Sequence, residues 1–261
     1  MLKLFNISKT FNHGTITEKR AIKNINLTLE DGDFVTIIGG NGAGKSTLLN
    51  LIAGVHFTDT GSIILDGMDL TGKPEYFRAR YLGRVFQDPM MGTAANMEIQ
   101  ENLAMAMRRG RKHGLAWHIQ PEEKKLYREK LALLDLGLED RMSAKAGLLS
   151  GGQRQALTLL MATLQKPRLL LLDEHTAALD PKTAKKVLEL TESFVAHDKL
   201  TTFMVTHNMR DAIRYGNRLI MMMEGNIVYD VSGDEKKNLN VSDLLDKFGA
   251  TGAMNDKLLL G

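Results

Sequence analysis

The chain has no cysteine. That excludes disulfides, thiolate metal sites and a cysteine nucleophile, and it suits a reducing compartment. Long apolar runs are missing as well. No stretch approaches the ~18 consecutive apolar residues of a membrane-spanning helix. The best candidates, Leu169–Leu172 and Leu219–Met223, are of strand length. The opening MLKLFNISKTF lacks the apolar core of a secretory signal. A role at a membrane therefore requires a partner. Charge of one sign is scarce too, since 34 Lys plus Arg stand against 31 Asp plus Glu. The resulting net charge of +3 argues neither for nor against nucleic acid. No internal repeat, low-complexity segment or sustained heptad is visible. The 261 residues make one large domain or two small ones.

What is present centres on GGNGAGKST, Gly39–Thr47. It fits G-x-x-x-x-G-K-[ST] at Gly39, Gly44, Lys45 and Ser46. The β-branched run Phe34–Ile38 before it predicts a buried strand, and Leu48–Ala53 after it predicts a helix stopped by Gly54. Strand, glycine loop and helix together distinguish a phosphate loop from a glycine-rich turn. Glycines let successive N–H groups turn inward toward phosphate oxygens. The helix N-terminus adds about half a positive charge there. Lys45 can reach the β- and γ-phosphates, and the Ser46 hydroxyl can ligate Mg²⁺.

The rest of the chain places further residues. Strands are predicted at Leu2–Ile7, Ala21–Leu29, Gly61–Gly67, Tyr81–Phe86, Leu169–Leu172 and Thr202–Thr206, with a hairpin at Leu219–Met223 and Ile227–Val231. Phe11 falls in a loop. Helices are predicted at Met97–Arg109, Pro121–Leu136, from Leu149 to about Gln165, at Ala184–Val195 and at Val241–Phe248. Arg108–His113 is expected as a basic loop, solvated or in contact with a partner or a lipid headgroup. The fifteen methionines are expected as core filler.

Asp173 and Glu174 follow a four-leucine strand, at the end where ligands bind in open α/β sheets. One carboxylate can hold Mg²⁺ and the other can orient or deprotonate a water. His207 ends another strand and is a candidate donor to the γ-phosphate. Gln87, also past a strand end, can touch the metal or the attacking water. Leu149-Ser150-Gly151-Gly152-Gln153-Arg154-Gln155 opens a helix as a second anion cradle. One γ-phosphate does not need two cradles in one chain. A head-to-tail pair of copies resolves this, each cradle capping the nucleotide of the other.

These motifs, in this order over about residues 1–232, resemble the ATP-binding cassette (ABC) family. GGNGAGKST is similar to its Walker A motif, Gln87 to its Q-loop glutamine and LSGGQRQ to its signature. LLLLDE resembles Walker B with the catalytic glutamate, Ala178-Leu179-Asp180 the D-loop, and His207 the switch histidine. The resemblance implies an α/β fold: a P-loop NTPase core with a parallel sheet, a flanking antiparallel β region and an inserted helical subdomain. The core would be residues 1–87 and 166–232, the helical signature subdomain 88–165, and the tail 246–261.

It also implies the site. Phe11 would stack on adenine. Gly39, Asn41, Gly42, Ala43, Gly44, Lys45, Ser46 and Thr47 would hold ATP, and Ser150, Gly151, Gly152 and Gln153 would cap it in trans. Ser46, Gln87 and Asp173 would hold Mg²⁺, Glu174, His207 and Gln87 would serve hydrolysis, and Asp180 would lie at the dimer interface. The implied partners are a second copy, transmembrane permease subunits and, indirectly, an extracellular solute-binding protein, with no nucleic acid. The implied place is the cytoplasmic face of the plasma membrane. The likeness is to motors of importers with a lipoprotein-type receptor, some handling aromatic amino acids. An exporter motor, or a soluble ATPase acting on nucleic acid or the ribosome, is the alternative. Two departures stand out: His175 where the family often has proline, and a signature helix continuing Ala156-Leu157-Thr158 without the arginine many members carry.

Overall fold

The computed structural model describes residues 1–110 and 119–250. Arg111, Lys112 and His113 of the basic stretch, and the tail beyond residue 250, lie outside the described residues. In chain order the strands are β1 Leu2–Phe11, β2 Lys19–Leu29, β3 Phe34–Ile38, β4 Thr60–Leu65, β5 Met68–Asp69, β6 Leu82–Val85, β7 Leu169–Asp173, β8 Thr202–Val205, β9 Arg218–Met223 and β10 Asn226–Ser232. The helices are α1 Lys45–Ala53, α2 Glu75–Arg78, α3 Ile99–Arg108, α4 Pro121–Ala132, α5 Gly151–Thr163, α6 Pro181–Asp198, α7 Met209–Arg214, α8 Gly233–Lys237 and α9 Val241–Ala250. Among the described residues two compact units form, residues 1–78 with 199–250, and residues 79–110 with 119–198. Among the described residues, no helix is long and apolar enough to cross a membrane.

The first unit contains the expected antiparallel region, ordered β2-β1-β4-β5. β1 is longer than its sequence pattern implied. Its pairing with β2 shifts register three times between Leu4 and Thr10, and Asn6 and Asn24 take positive φ. These bulges break the alternation, so the strand runs on to Phe11, which pairs with Lys19 instead of lying in a loop. The same unit holds β3 between β8 and β9, parallel to both, with β10 antiparallel on β9. All five residues of β3 are buried, as a strand covered on both faces demands. On one side lies a cluster of Ile38, Met209, Ala212, Leu219, Met221, Val231, Leu244 and Phe248, which draws α7 and α9 onto the strands.

The second unit contains β6 and β7, parallel and in register from Leu82–Leu169 to Val85–Leu172. Helix α5 packs on β6, α3, α4 and α6. Here β6, β7 and α6 group with those helices because β6 and β7 pair with each other and α5 lies against β6. Helix α4 ends at Ala132, short of the predicted Leu136, and the fully buried Leu134 and Leu138 reach the core from the following loop. The basic stretch starts differently from expectation. Arg108 closes α3 and pairs with Glu123 at 3.0 Å. Arg109 donates to the Ala162 carbonyl at 3.4 Å, and burial lowers its pKa.

Candidate functional site

In the first unit the phosphate loop leaves β3 and enters α1 one turn earlier than the apolar pattern indicated. Gly44 is the N-cap, at φ 103°. A Cβ there would stand 2.6 Å from the Ala21 carbonyl oxygen, so only glycine fits. Lys45 is 5% exposed, and its ammonium donates to the Gly39 and Gly40 carbonyls at 2.7 and 3.2 Å. The cation is thus held against the loop it serves. Asn41, Gly42 and Ser46 are exposed, Thr47 is half-buried and Ala43 is buried. The Lys19 ammonium stands 3.2 Å from where a Cβ on Gly42 would be. Lys19 also faces Phe11 across the β1–β2 ladder, so a second cation stands beside the loop that the sequence pattern had not marked. Phe11 meets His56 edge-on at 5.2 Å, with the Lys9 ammonium 5.6 Å from its ring centre.

The far end of α1 is held as firmly as the near one. Gly54 returns its N–H to Asn50 and Leu51. Arg78, fully buried, donates to the Leu51 and Ile52 carbonyls at 2.7 and 2.9 Å and to Lys73 and Thr71 at 2.7 and 3.2 Å. A cation at a helix C-terminus opposes the macrodipole favourably. Desolvation still pulls the guanidinium down to about 10.

His207 belongs to the same unit and the same strand edge. β8 runs parallel to β3 with Val205 opposite Ile37, and Thr206 N–H donates to the Ile37 carbonyl at 3.1 Å. The next residue, His207, is exposed. Asn208 then caps α7, accepting from Arg210 and Asp211 N–H at 2.9 and 3.2 Å. The short helix was not foreseen, yet its cap fixes the turn from which His207 projects.

In the second unit, parallel pairing brings Gln87, Asp173 and Glu174 to one end of β6 and β7. Gln87 is exposed, two residues past β6. Asp173 is half-buried and sits 3.8 Å from Arg84. Glu174 is 9% exposed, at φ 46°. His175 behind it is 2% exposed, and burial lowers its pKa to about 4, which keeps the ring neutral.

The signature forms the start of α5. Ser150 is an exposed N-cap in a reciprocal box: its hydroxyl accepts from Gln153 N–H at 3.3 Å, and the Gln153 amide oxygen accepts from Ser150 N–H at 3.2 Å. Gly151 is exposed and Gly152 buried. A Cβ on Gly152 would meet the Thr183 methyl at 2.0 Å, so the glycine also lets the signature tip approach α6. Asp180 accepts from Thr183 N–H at 3.1 Å, and hydrogen bonds from Thr183 lower its pKa. The sequence reading named Arg154 and Gln155 within the signature string but gave neither a role of its own. Arg154 donates to the Ala146 carbonyl at 2.8 Å and contacts the Met90 sulfur, while Gln155 bonds two backbone carbonyls. Neither position carries a periodicity signal, because a polar residue facing inward on a helix is read only from its partners.

A phosphate loop on a parallel strand, a strand-end acidic pair and a serine–glycine helix start point to a nucleoside-triphosphate hydrolase. The comparisons agree. The family model described as "ABC transporter" matches residues 22–177. A tyrosine transport ATP-binding protein of Clostridioides difficile (strain R20291) is 45% identical over 248 residues, 95% of this chain and 98% of that one. A spermidine/putrescine import ATP-binding protein, PotA of Pasteurella multocida (strain Pm70), is 34% identical over 97% of this chain, which spans 65% of its length. Among solved structures, the dimeric post-hydrolysis state of the ATP-binding cassette MJ0796 bound to ADP and Pi superposes with a TM-score of 0.76. It shares 30% identity over 89% of this chain and 98% of that chain. A nucleotide-free cassette from an ABC transporter gives a TM-score of 0.76 with 25% identity over 100% of this chain and 99% of that one. The chain belongs to the ATP-binding cassette transporter family, as one of its ATP-hydrolysing subunits.

Proposed function

We propose that this subunit drives import of an aromatic amino acid, tyrosine first. The 45% identity to the tyrosine transport protein, over nearly the full length of both chains, carries the solute. The likeness to a spermidine/putrescine import protein supports the direction. In this reading residues 1–87 and 166–232 are the nucleotide-binding core and 88–165 the helical arm. The base of ATP stacks on Phe11 and its phosphates rest on the amides of Gly39–Thr47. Lys45 exchanges the Gly39 and Gly40 carbonyls for the β- and γ-phosphates.

Mg²⁺ suits the donors present. Ser46 is exposed at the start of α1 and Asp173 is half-buried at the end of β7, both hard oxygen ligands. Mg²⁺ takes one or two such protein groups and completes its shell with phosphates and water. No group of three or more His, Cys, Asp or Glu that could hold a metal occurs among the described residues, so no all-protein cage competes. Ser46, Asp173 and Gln87 would hold the ion, which would supply positive charge against that developing on the phosphates. Glu174 orients the attacking water and takes its proton. His207 donates to the γ-phosphate.

A second copy completes the site, its Ser150, Gly151, Gly152 and Gln153 closing over the γ-phosphate, with Asp180 at the interface. Closure works permease subunits at the cytoplasmic face of the membrane, which receive solute from an extracellular binding protein. Those subunits dock near Gln87–Glu101. There Met90 and Met91 are 58% and 66% exposed, adaptable apolar contacts rather than core filler.

The test is uptake at low external concentration. A strain lacking this chain loses labelled tyrosine uptake, and the Lys45→Ala variant does not restore it. Undiminished uptake of tyrosine, phenylalanine and tryptophan refutes the solute assignment, and accumulation of an unexported compound refutes the direction.

A further inference from the structure

Two buried side chains converge on the turn that carries Glu174. Gln155, on the signature helix, is fully buried. Its amide nitrogen donates to the Phe86 carbonyl at 2.9 Å and to the His175 carbonyl at 2.7 Å. Phe86 immediately precedes Gln87 and His175 immediately follows Glu174. One NH₂ group therefore spends both protons tying the two strand-end turns to α5. The amide oxygen of Gln155 is buried without a hydrogen-bond partner. An orphan acceptor offsets part of what the two donated hydrogen bonds contribute, so net stability alone does not account for this amide.

The second anchor is the His175 ring. Its Nε2 stands 3.1 Å from the Thr191 hydroxyl on α6. That hydroxyl donates its own proton to the Val187 carbonyl at 2.8 Å. The threonine oxygen is then the acceptor toward His175, and the ring carries its proton on Nε2. Thr191 is 1% exposed, so water does not compete for the contact.

Immediately before this doubly held histidine the Glu174 backbone is left-handed, at φ 46°. For a residue with a Cβ that conformation is disfavoured. Such a conformation persists where the surroundings over-determine it. Here they do so from the C-terminal side, through the carbonyl and the ring of His175.

We infer that Gln155, His175 and Thr191 form a positioning chain. It sets the direction of the Glu174 carboxylate and couples it to the Gln87 turn through a single amide. This rests on the reading of Glu174 as the residue that orients the attacking water. None of the three touches nucleotide in that reading; they act through Glu174 and Gln87.

The test uses the full-length chain with kcat, KM and equilibrium ATP affinity measured on Gln155→Met, Thr191→Val, Thr191→Ser and Glu174→Gln. Thr191→Val and Gln155→Met lower kcat about tenfold, since small misplacement of a catalytic group is costly, while KM and ATP affinity stay within about twofold. Thr191→Ser keeps the hydroxyl and restores most of kcat. The double variant Gln155→Met/Thr191→Val loses less than the product of the single losses. Wild-type kcat per folded molecule in Thr191→Val and Gln155→Met, with only the melting temperature lowered, overturns the proposal. If Gln155→Met does not fold, the Thr191 pair decides alone. An inactive Glu174→Gln beside fully active Thr191→Val sinks the positioning chain and spares the role of Glu174. An active Glu174→Gln sinks both.

Discussion

Replacing Ser150 by alanine in one variant and by aspartate in another separates two roles that meet in one hydroxyl. In the isolated chain the hydroxyl caps α5 through Gln153 N–H at 3.3 Å. Removing a serine N-cap costs about 1 kcal/mol, which in a chain of this size lowers Tm by about 2–4 °C. Aspartate caps as well as serine and adds an anion at the helix N-terminus, worth about 0.3–1 kcal/mol. Ser150→Asp should therefore melt at or above the wild-type temperature, and Ser150→Ala below it. Hydrolysis should rank differently. In the proposed closed pair the position would face the γ-phosphate held by the other copy. Two like charges about 4 Å apart repel by about 4 kcal/mol at an effective dielectric of about 20, roughly a thousandfold. Ser150→Asp should lose turnover by that order, and Ser150→Ala, which removes one donor, by about a hundredfold. Melting by differential scanning and a coupled phosphate-release assay measure the two axes. Near-wild-type turnover in Ser150→Asp refutes the trans contact, and an unchanged Tm in Ser150→Ala refutes the cap.

Other perturbations have single expected outcomes. Glu174→Gln binds ATP, turns over very slowly and accumulates as a dimer; sizing with and without ATP checks it, and a monomer under saturating ATP contradicts it. Lys45→Ala loses most ATP affinity by equilibrium binding, and an affinity within about twofold of wild type would remove Lys45 from the phosphate site. Arg78→Met strands four carbonyls and lowers unfolding stability by about 3 kcal/mol in urea, on the order of the loss of several hydrogen bonds to a charged group. Burial pulls Lys236 down to about 8 from 10.5. Its unfolded state then binds more protons between those values, so stability rises with pH across that window. Lys236→Met should flatten the rise in denaturation curves taken at successive pH values.

The phosphate loop, the strand-end acids and the signature were legible because each is a short string whose chemistry demands particular residues. Gly44 and Lys45 are such positions, and the buried runs at Phe34–Ile38 and Leu169–Leu172 have no polar face to confuse the pattern. Elements whose cause is remote were not legible. Phe11 looked like a loop residue because bulges at Asn6 and Asn24 break a two-residue period. α7 has six residues, too few for a helical period, and exists because Asn208 caps it and Met209 and Ala212 are buried against the core. Gln155 gave no signal since its worth lies in two carbonyls, 69 and 20 residues away in sequence. His175 did register, as a departure from the family habit, but its ring only acquires meaning from Thr191.

The two-ended hold on α1 also sets a timetable. Nine residues make a helix too short to persist alone in water. Its C-terminal carbonyls wait for Arg78, 27 residues downstream of Leu51. The strand that feeds it waits far longer, because β3 lies between β8 and β9, which begin at Thr202 and Arg218. A nascent chain therefore exposes its phosphate loop early but cannot shape it until β8 and β9 have been made. Truncated or stalled products should accordingly be blind to ATP, so a half-made motor cannot spend nucleotide or pair with a finished one.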